Sequence, residues 1–164
     1  MTTADPTDRG FADRDDRRYA GTAVQKASLI AGIVFLVVGI AGFIPGLTTN
    51  YGALSFAGHD SMAMLLGVFQ VSVLHNLVHL VYGVAGLAFA SSRIGSRTYL
   101  VVGGIVYAVV WLYGLLFGGD HPANIVPLNS ADNWLHLFLA AAMILLGLLL
   151  SPRGAGVNRP ATRV

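Results

Sequence analysis

Three histidines are spaced so that they could bind one metal ion. His75 and His79 are four residues apart and therefore share a helical face, and His136 lies on a second apolar segment. At about 1.5 Å of helical rise per residue, all three lie roughly 18–24 Å along the helix from the C-terminal ends of their segments. Imidazoles at this spacing are typical ligands of zinc or copper, and a carboxylate from Asp132 or Asp60 could complete the coordination shell.

The same histidines could serve other chemistry. His79 and His136, on two facing helices, could be the axial ligands of a haem iron. Histidine titrates near neutral pH, so the group could also transfer protons. A structural role is the fourth interpretation, because His and Asn side chains form hydrogen bonds between membrane helices that are worth roughly 0.6–2 kcal/mol each. The sequence leaves these interpretations open.

Other polar residues are expected around the same site. Ser72 and Asn76 share the helical face of His75, and Asn133 lies one helical turn before His136. The loops after the first and third apolar segments contribute His59, Asp60, Asp120 and His121. For the two loop histidines we expect an ordinary loop position, whereas ionisable groups inside membrane segments indicate a functional site.

No catalytic motif accompanies these residues. The histidine pair lacks the adjacent Glu of zinc proteases, and the chain has no nucleotide-binding glycine loop. It has no cysteine, which excludes disulfides, thiolate metal sites and cysteine nucleophiles. The apolar segments contain no Lys or Arg and no deep carboxylate, which argues against a voltage sensor and a carboxylate-type proton transporter. A non-enzymatic protein is therefore favoured over an enzyme, and we predict no catalytic residue.

The segments that carry the histidines are predicted membrane spans. Of the 164 residues, 55% are hydrophobic and only 11% charged, whereas soluble domains average about a quarter charged residues. Four apolar runs each approach the ~20 residues that cross a ~30 Å hydrocarbon core as a helix. They cover residues 27–44, 71–90, 99–117 and 134–150. We therefore expect an all-α polytopic membrane protein, with a four-transmembrane-helix bundle over residues 27–150, a disordered cytoplasmic tail over 1–26 and a second tail over 151–164.

Positive charge sets the predicted orientation. All ten Lys and Arg residues fall before the first run, between the second and third, or after the fourth. Cytoplasmic loops of membrane proteins carry this excess of positive charge. Both termini are therefore expected in the cytoplasm, in a multi-pass protein of the plasma (inner) membrane. The net charge of +2 indicates contact with anionic lipid headgroups and no nucleic-acid partner.

Two local features belong to the predicted external side. The apolar stretch from Ser61 to Gln70 contains no Pro, so we expect it to extend the second helix, or else to lie as a separate helix in the membrane interface. Ser130 is the predicted N-cap of the fourth helix, with Asp132 in its first turn near the positive end of the helix dipole.

The sequence contains an approximate internal repeat. Residues 33–42 match 105–114, and residues 76–80 match 133–137. His79 thereby corresponds to His136, and Asn76 to Asn133. Both copies begin on the same side of the membrane, so we expect two parallel helical-hairpin repeats related by an axis along the membrane normal.

Three stretches resemble a known bacterial family. They are Gly42 to Gly52 (GFIPGLTTNYG), Gly67 to His79 (GVFQVSVLHNLVH) and Ala131 to Leu137 (ADNWLHL). In these stretches the chain is similar to the four-span, actinobacterial-type membrane proteins catalogued as domain of unknown function DUF4383. The resemblance extends over residues 27–150 and implies an integral membrane location. It implies no activity and no catalytic residue.

Three functions fit these observations. The first is an integral plasma-membrane protein of unknown activity that acts as a non-enzymatic accessory or assembly subunit, because ionisable groups are few and small residues are frequent. The second is a metal- or haem-binding membrane protein with a histidine site in the outer leaflet. The third is a small-solute or metal-ion permease. The expected partners are the lipid bilayer and either a second copy of the chain or a larger membrane complex.

Overall fold

The computed structural model describes residues 18–151, and this part of the chain is mostly helical. The four helices are α1 (Ala23–Ala41), α2 (Val73–Phe89), α3 (Arg93–Phe117) and α4 (Ser130–Leu149). The loop between α1 and α2 contains a 3-10 turn and three two-residue strands. These are Tyr51–Ala53 for the turn, β1 (Thr48–Thr49), β2 (Met64–Leu65) and β3 (Phe69–Gln70). The predicted tails, 1–26 and 151–164, lie mostly outside the described residues, and the described end of the first tail is helical because α1 already begins at Ala23.

Three of these helices are long and apolar enough to cross a membrane. They are α1, α3 and α4, with 19, 25 and 20 residues and mean hydropathies of 2.1, 2.3 and 1.6. Helix α2 is also apolar but has 17 residues, which corresponds to about 26 Å of helix against a core of about 30 Å. Length and composition therefore identify a membrane protein.

Capping side chains fix where the helices begin. At the start of α1, Gln25 Oε1 accepts hydrogen bonds from the Thr22 backbone N–H (3.0 Å) and hydroxyl (2.8 Å). Helix α4 is capped by Asn129 and not by Ser130, so the predicted cap is wrong by one residue. Asn129 Oδ1 accepts from Asp132 N (2.9 Å), and Asp132 Oδ2 accepts from Asn129 N (3.0 Å). Asp132 supplies the second half of this box, whereas Asn133, three residues after Ser130, packs its amide against Gly114.

The helices pack as two close pairs, α1 with α2 and α3 with α4. Gly42 in the first pair lies against Asn76, and a Cβ at that glycine would stand 2.2 Å from the amide oxygen. In the second pair Gly114 lies against Asn133, and a Cβ there would stand 1.8 Å from the amide oxygen. The two contacts occupy matching positions of the repeat read from the sequence, so the two helix pairs are built in the same way.

The segment from Ser61 to Gln70 is a β-hairpin, and the prediction that it is helical is wrong. Strand β2 pairs antiparallel with both β1 and β3. Leu66 and Gly67 both have positive φ, +53° and +70°, and Val68 N donates to Leu65 O at 3.1 Å. Leu66 and Gly67 turn the chain within the three-residue loop 66–68, and glycine permits the positive φ at Gly67. The turn at Gly67 therefore interrupts this apolar stretch, although the stretch contains no proline.

The packing of this molecule places large apolar side chains outside and polar ones inside. Exposed aliphatic residues include Val81 and Leu149, with 68% and 72% of their surface accessible. The contact faces instead bury polar groups, among them Ser28, whose hydroxyl donates to Gly86 O at 2.9 Å. A protein surrounded by lipid has this distribution, because helices there associate through small residues and hydrogen bonds.

Candidate metal centre

Three histidine side chains from the first two turns of α2 and α4 converge. One ligand nitrogen from each of His75, His79 and His136 lies within 4.8 Å of the other two. The ring centroids of His75 and His79 are 4.6 Å apart, and those of His75 and His136 are 6.1 Å apart. The three residues expose only 4%, 7% and 3% of their surface. The structure thus brings together the histidines that the sequence singled out.

The two helix starts that carry these histidines are tied together through strand β3. The Ser72 hydroxyl caps α2 by accepting from His75 N at 3.1 Å. From α4, Asp132 Oδ2 accepts from Gln70 N at 3.0 Å, and Asn129 Nδ2 donates to Val68 O at 2.8 Å. The β-hairpin therefore holds the beginning of α4 beside the beginning of α2, which sets the separation of the histidines.

Aromatic rings form the inner wall of the site. Phe35 stacks on His79 with a centroid distance of 5.7 Å, and Tyr107 lies 5.3 Å from His136. Phe35 and Tyr107 stack on each other at 5.4 Å, and Tyr82 meets both edge-on. These rings fix the orientation of the imidazoles and separate them from the rest of the helix pairs.

Sequence reasoning missed Phe35, Tyr82 and Tyr107 as parts of this wall. The repeat contained the necessary signal for two of them, because it pairs Phe35 with Tyr107. It also pairs His79 with His136. Each matched aromatic residue contacts the matched histidine of its own helix pair.

Each of the three histidines has a buried Nδ1 atom without a hydrogen-bond partner. A buried nitrogen left unpaired costs about 1–3 kcal/mol, so a further group that paired with these atoms would stabilise the protein. A neutral imidazole nitrogen can accept a hydrogen bond or bind a metal ion. Zinc bound at 2.0–2.1 Å brings tetrahedral nitrogen ligands to about 3.4 Å from one another, so the ligand nitrogens, now within 4.8 Å, would have to approach by up to about 1.4 Å.

Asp132 stands at the border of the site and not inside the histidine group. It lines, together with all three histidines, a cavity of about 150 Å³ that lies beneath β2 and β3. Its Oδ2 is occupied by the two backbone N–H groups of Gln70 and Asn129. The contacts of Asp132 are therefore those of a capping residue that joins the hairpin to α4.

The other predicted site residues lie apart from the histidine group. His59 Nε2 is 3.4 Å from Asp60 Oδ1, and Asp60 is largely exposed. His121 Nδ1 accepts from Ala123 N at 3.1 Å in an exposed loop. Asp120 is exposed beside it, Asn76 and Asn133 pack against glycines, and Ser72 caps a helix. These residues position elements around the site or lie on the surface.

The space around the histidines limits what they can bind. The two cavities that border all three rings measure about 80 and 150 Å³. Sites for drug-sized ligands typically occupy about 300–1,000 Å³, and a haem macrocycle is at least that large. The geometry therefore favours a single ion or a small group over a haem held between His79 and His136.

Among the comparisons with known proteins, one with protein-family models found a match. A family model described as Domain of unknown function (DUF4383) matches residues 25–149, which includes all four helices except the first two residues of α1. No curated protein and no solved structure matches the chain significantly.

Proposed function

The chain belongs to the family described as Domain of unknown function (DUF4383), and we propose that it is an integral membrane protein that holds one transition-metal ion on His75, His79 and His136. The family assignment agrees with the resemblance read from the sequence. The observation that carries the functional proposal is the convergence of three buried imidazoles whose ligand nitrogens lie within 4.8 Å.

The membrane part of the proposal rests on charge and surface chemistry. Hydrogen bonds from Ala20 N and Gln25 Nε2 to Ala90 O, both 3.1 Å, join the beginning of α1 to the end of α2. The described Lys and Arg residues lie at this end of the helices, at Arg18, Lys26, Arg93 and Arg97. Positive charge marks the cytoplasmic side. We therefore propose four spans with both termini inside, and with the histidines toward the outside.

The metal interpretation explains the unpaired nitrogens better than a structural role does. Histidines that serve only to join helices should donate and accept hydrogen bonds across the helix contact. Here the three Nδ1 atoms are buried without such bonds. An ion coordinated by the three rings would satisfy nitrogens that otherwise destabilise the protein.

Ligand chemistry narrows the identity of the ion. Three nitrogen ligands suit zinc or copper, which prefer imidazole, and not magnesium or calcium, which prefer oxygen. Three protein ligands also leave one position of a tetrahedral ion open. That position would take water, hydroxide or another oxygen ligand.

The test is the metal content of detergent-purified protein produced without an affinity His tag. We expect about one zinc or copper ion per chain, because the site offers one set of three ligands. His79→Gln and His136→Gln keep a polar side chain of similar size and should each remove most of the metal. His121→Gln is the matched control, since His121 is an exposed histidine outside the group.

Helicity and the gel-filtration profile of each variant show whether it is folded. A folded wild-type protein that takes up neither zinc nor copper on titration would contradict the proposal. Equal metal loss in His79→Gln and His121→Gln would also contradict it, because it would indicate adsorption at exposed histidines.

A further inference from the structure

A groove between α2 and α3 leads to the histidine site from the side of the helices. Its outer part, about 80 Å³, is bordered by all three histidines together with Tyr82 and Tyr107. Its second part, about 260 Å³, lies nearer the other end of the helices and is bordered by Phe89 and Tyr99. Tyr82 and Val106 border both parts, so the two adjoin each other between α2 and α3.

The helix pairing explains why this groove exists. Helices α1 and α2 approach closely at glycines, as do α3 and α4. Helices α2 and α3 are consecutive in the chain but belong to different pairs and contact each other much less. The open side of the groove lies between outward-facing residues such as Val81 and Val102, which expose 68% and 52% of their surface. In a membrane this opening faces the lipid.

The walls restrict the chemistry of an occupant. None of the residues that border either part of the groove is Asp, Glu, Lys or Arg. A phosphate headgroup would lack the cationic partner that it requires, and a charged head would not be compensated. An uncharged head group with a long apolar tail therefore fits. The head would lie against the rings of Tyr82, Tyr107 and His136, which pack on one another and border the outer part, and a planar aromatic ring can stack there.

We propose that the groove binds a membrane-soluble quinol, with its apolar tail along α2 and α3 and its ring hydroxyl at the histidines. This inference rests on the proposed function, since the ring oxygen takes the open position of the metal ion. The tail enters from the lipid, and the aromatic residues hold the ring. The groove thus provides a route to the metal that starts in the membrane.

The experiment measures binding of a short-chain quinol with a decyl tail to the metal-loaded protein in detergent, by equilibrium dialysis with radiolabelled quinol. Val106→Trp places a large ring where the two parts of the groove meet and should weaken binding by about tenfold or more. Val109→Trp is the matched control, because Val109 is an exposed valine on the same helix that does not border the groove. It should leave the affinity within about twofold.

Two further outcomes decide the inference. Equal competition by decanol, which has the tail but no ring, would overturn it, because the head group would then not be recognised. Equal effects of Val106→Trp and Val109→Trp would overturn it as well. Metal content is measured in the same samples, so that retained metal without quinol binding rejects this inference alone, whereas absence of metal rejects the proposed function.

Discussion

The contact between Gly114 and Asn133 shows how little space separates α3 from α4. A Cβ added to Gly114 would stand 1.8 Å from the amide oxygen of Asn133, far inside van der Waals contact. Gly114→Ala should therefore force the two helices apart or displace the amide, and should reduce the free energy of unfolding by about 1–3 kcal/mol. Thermal or denaturant unfolding in detergent, followed by circular dichroism, measures the change.

The matched control for this substitution is Gly52→Ala, because nothing lies within 4 Å of a Cβ at Gly52. The double variant Gly114→Ala/Asn133→Ala should recover part of the lost stability, since it removes the side chain that the methyl group meets. Such non-additivity is expected of residues in direct contact. Equal stability of the Gly114→Ala and Gly52→Ala proteins would contradict the packing seen here.

At the scale of elements, Asp132 joins strand β3 to helix α4. Its Oδ2 accepts from both Gln70 N and Asn129 N, each at 3.0 Å. Asp132→Ala should remove both bonds, destabilise the protein by about 1–3 kcal/mol and speed hydrogen exchange at these two amides. The metal content should stay unchanged, because Asn129 still joins α4 to the hairpin through Val68 O and the carboxylate lies outside the group of three histidines.

Asp120→Ala provides the control for this prediction, because Asp120 is an exposed aspartate in the same loop region. It should change neither the exchange rates nor the metal content. Loss of metal in Asp132→Ala with unchanged exchange at Gln70 and Asn129 would instead support the sequence hypothesis that Asp132 completes the coordination shell.

Part of the site could be predicted from sequence because it follows from periodicity. Four-residue spacing places His75 and His79 on one face, and the repeat pairs His79 with His136. Neither argument requires knowledge of the loops. The contact of Gly114 with Asn133 could not be predicted, because the repeat matches it to the contact of Gly42 with Asn76 but gives no reason to place either pair of residues together.

The β-hairpin could not be predicted in the same way. Its strands have two residues each, too few for the alternation of apolar and polar residues that identifies a strand. Leu66 at φ +53° is also an unusual turn residue. The only local indication was Gly67, which a helical interpretation tolerates. The position of Asp132 at the edge of the site depends on its bond to this hairpin, so it could not be predicted from the sequence.

At the scale of the whole molecule, the two helix pairs place charge asymmetrically. The described Lys and Arg residues lie near the α1 start and the α2–α3 connection, whereas Asp60, Asp120 and Asp132 lie near the opposite ends. Assembly with a second copy or with other subunits stays a prediction. Orientation, in contrast, can be tested directly, because the chain has no cysteine of its own.

Single cysteines introduced at the two ends of the helices should react on opposite sides of the membrane. Asp120 and Ser91 are both exposed, in the α3–α4 loop and the α2–α3 connection. In intact cells a membrane-impermeant maleimide should label Asp120→Cys, because the loop that lacks positive charge faces outward. Ser91→Cys, beside Arg93 and Arg97, should react only after permeabilisation. The unsubstituted protein is the negative control for both.

Labelling of Ser91→Cys but not Asp120→Cys in intact cells would invert the topology and place the histidines and the mouth of the groove toward the cytoplasm. The metal ion would then have to come from the inner side, while the groove would still open to the lipid.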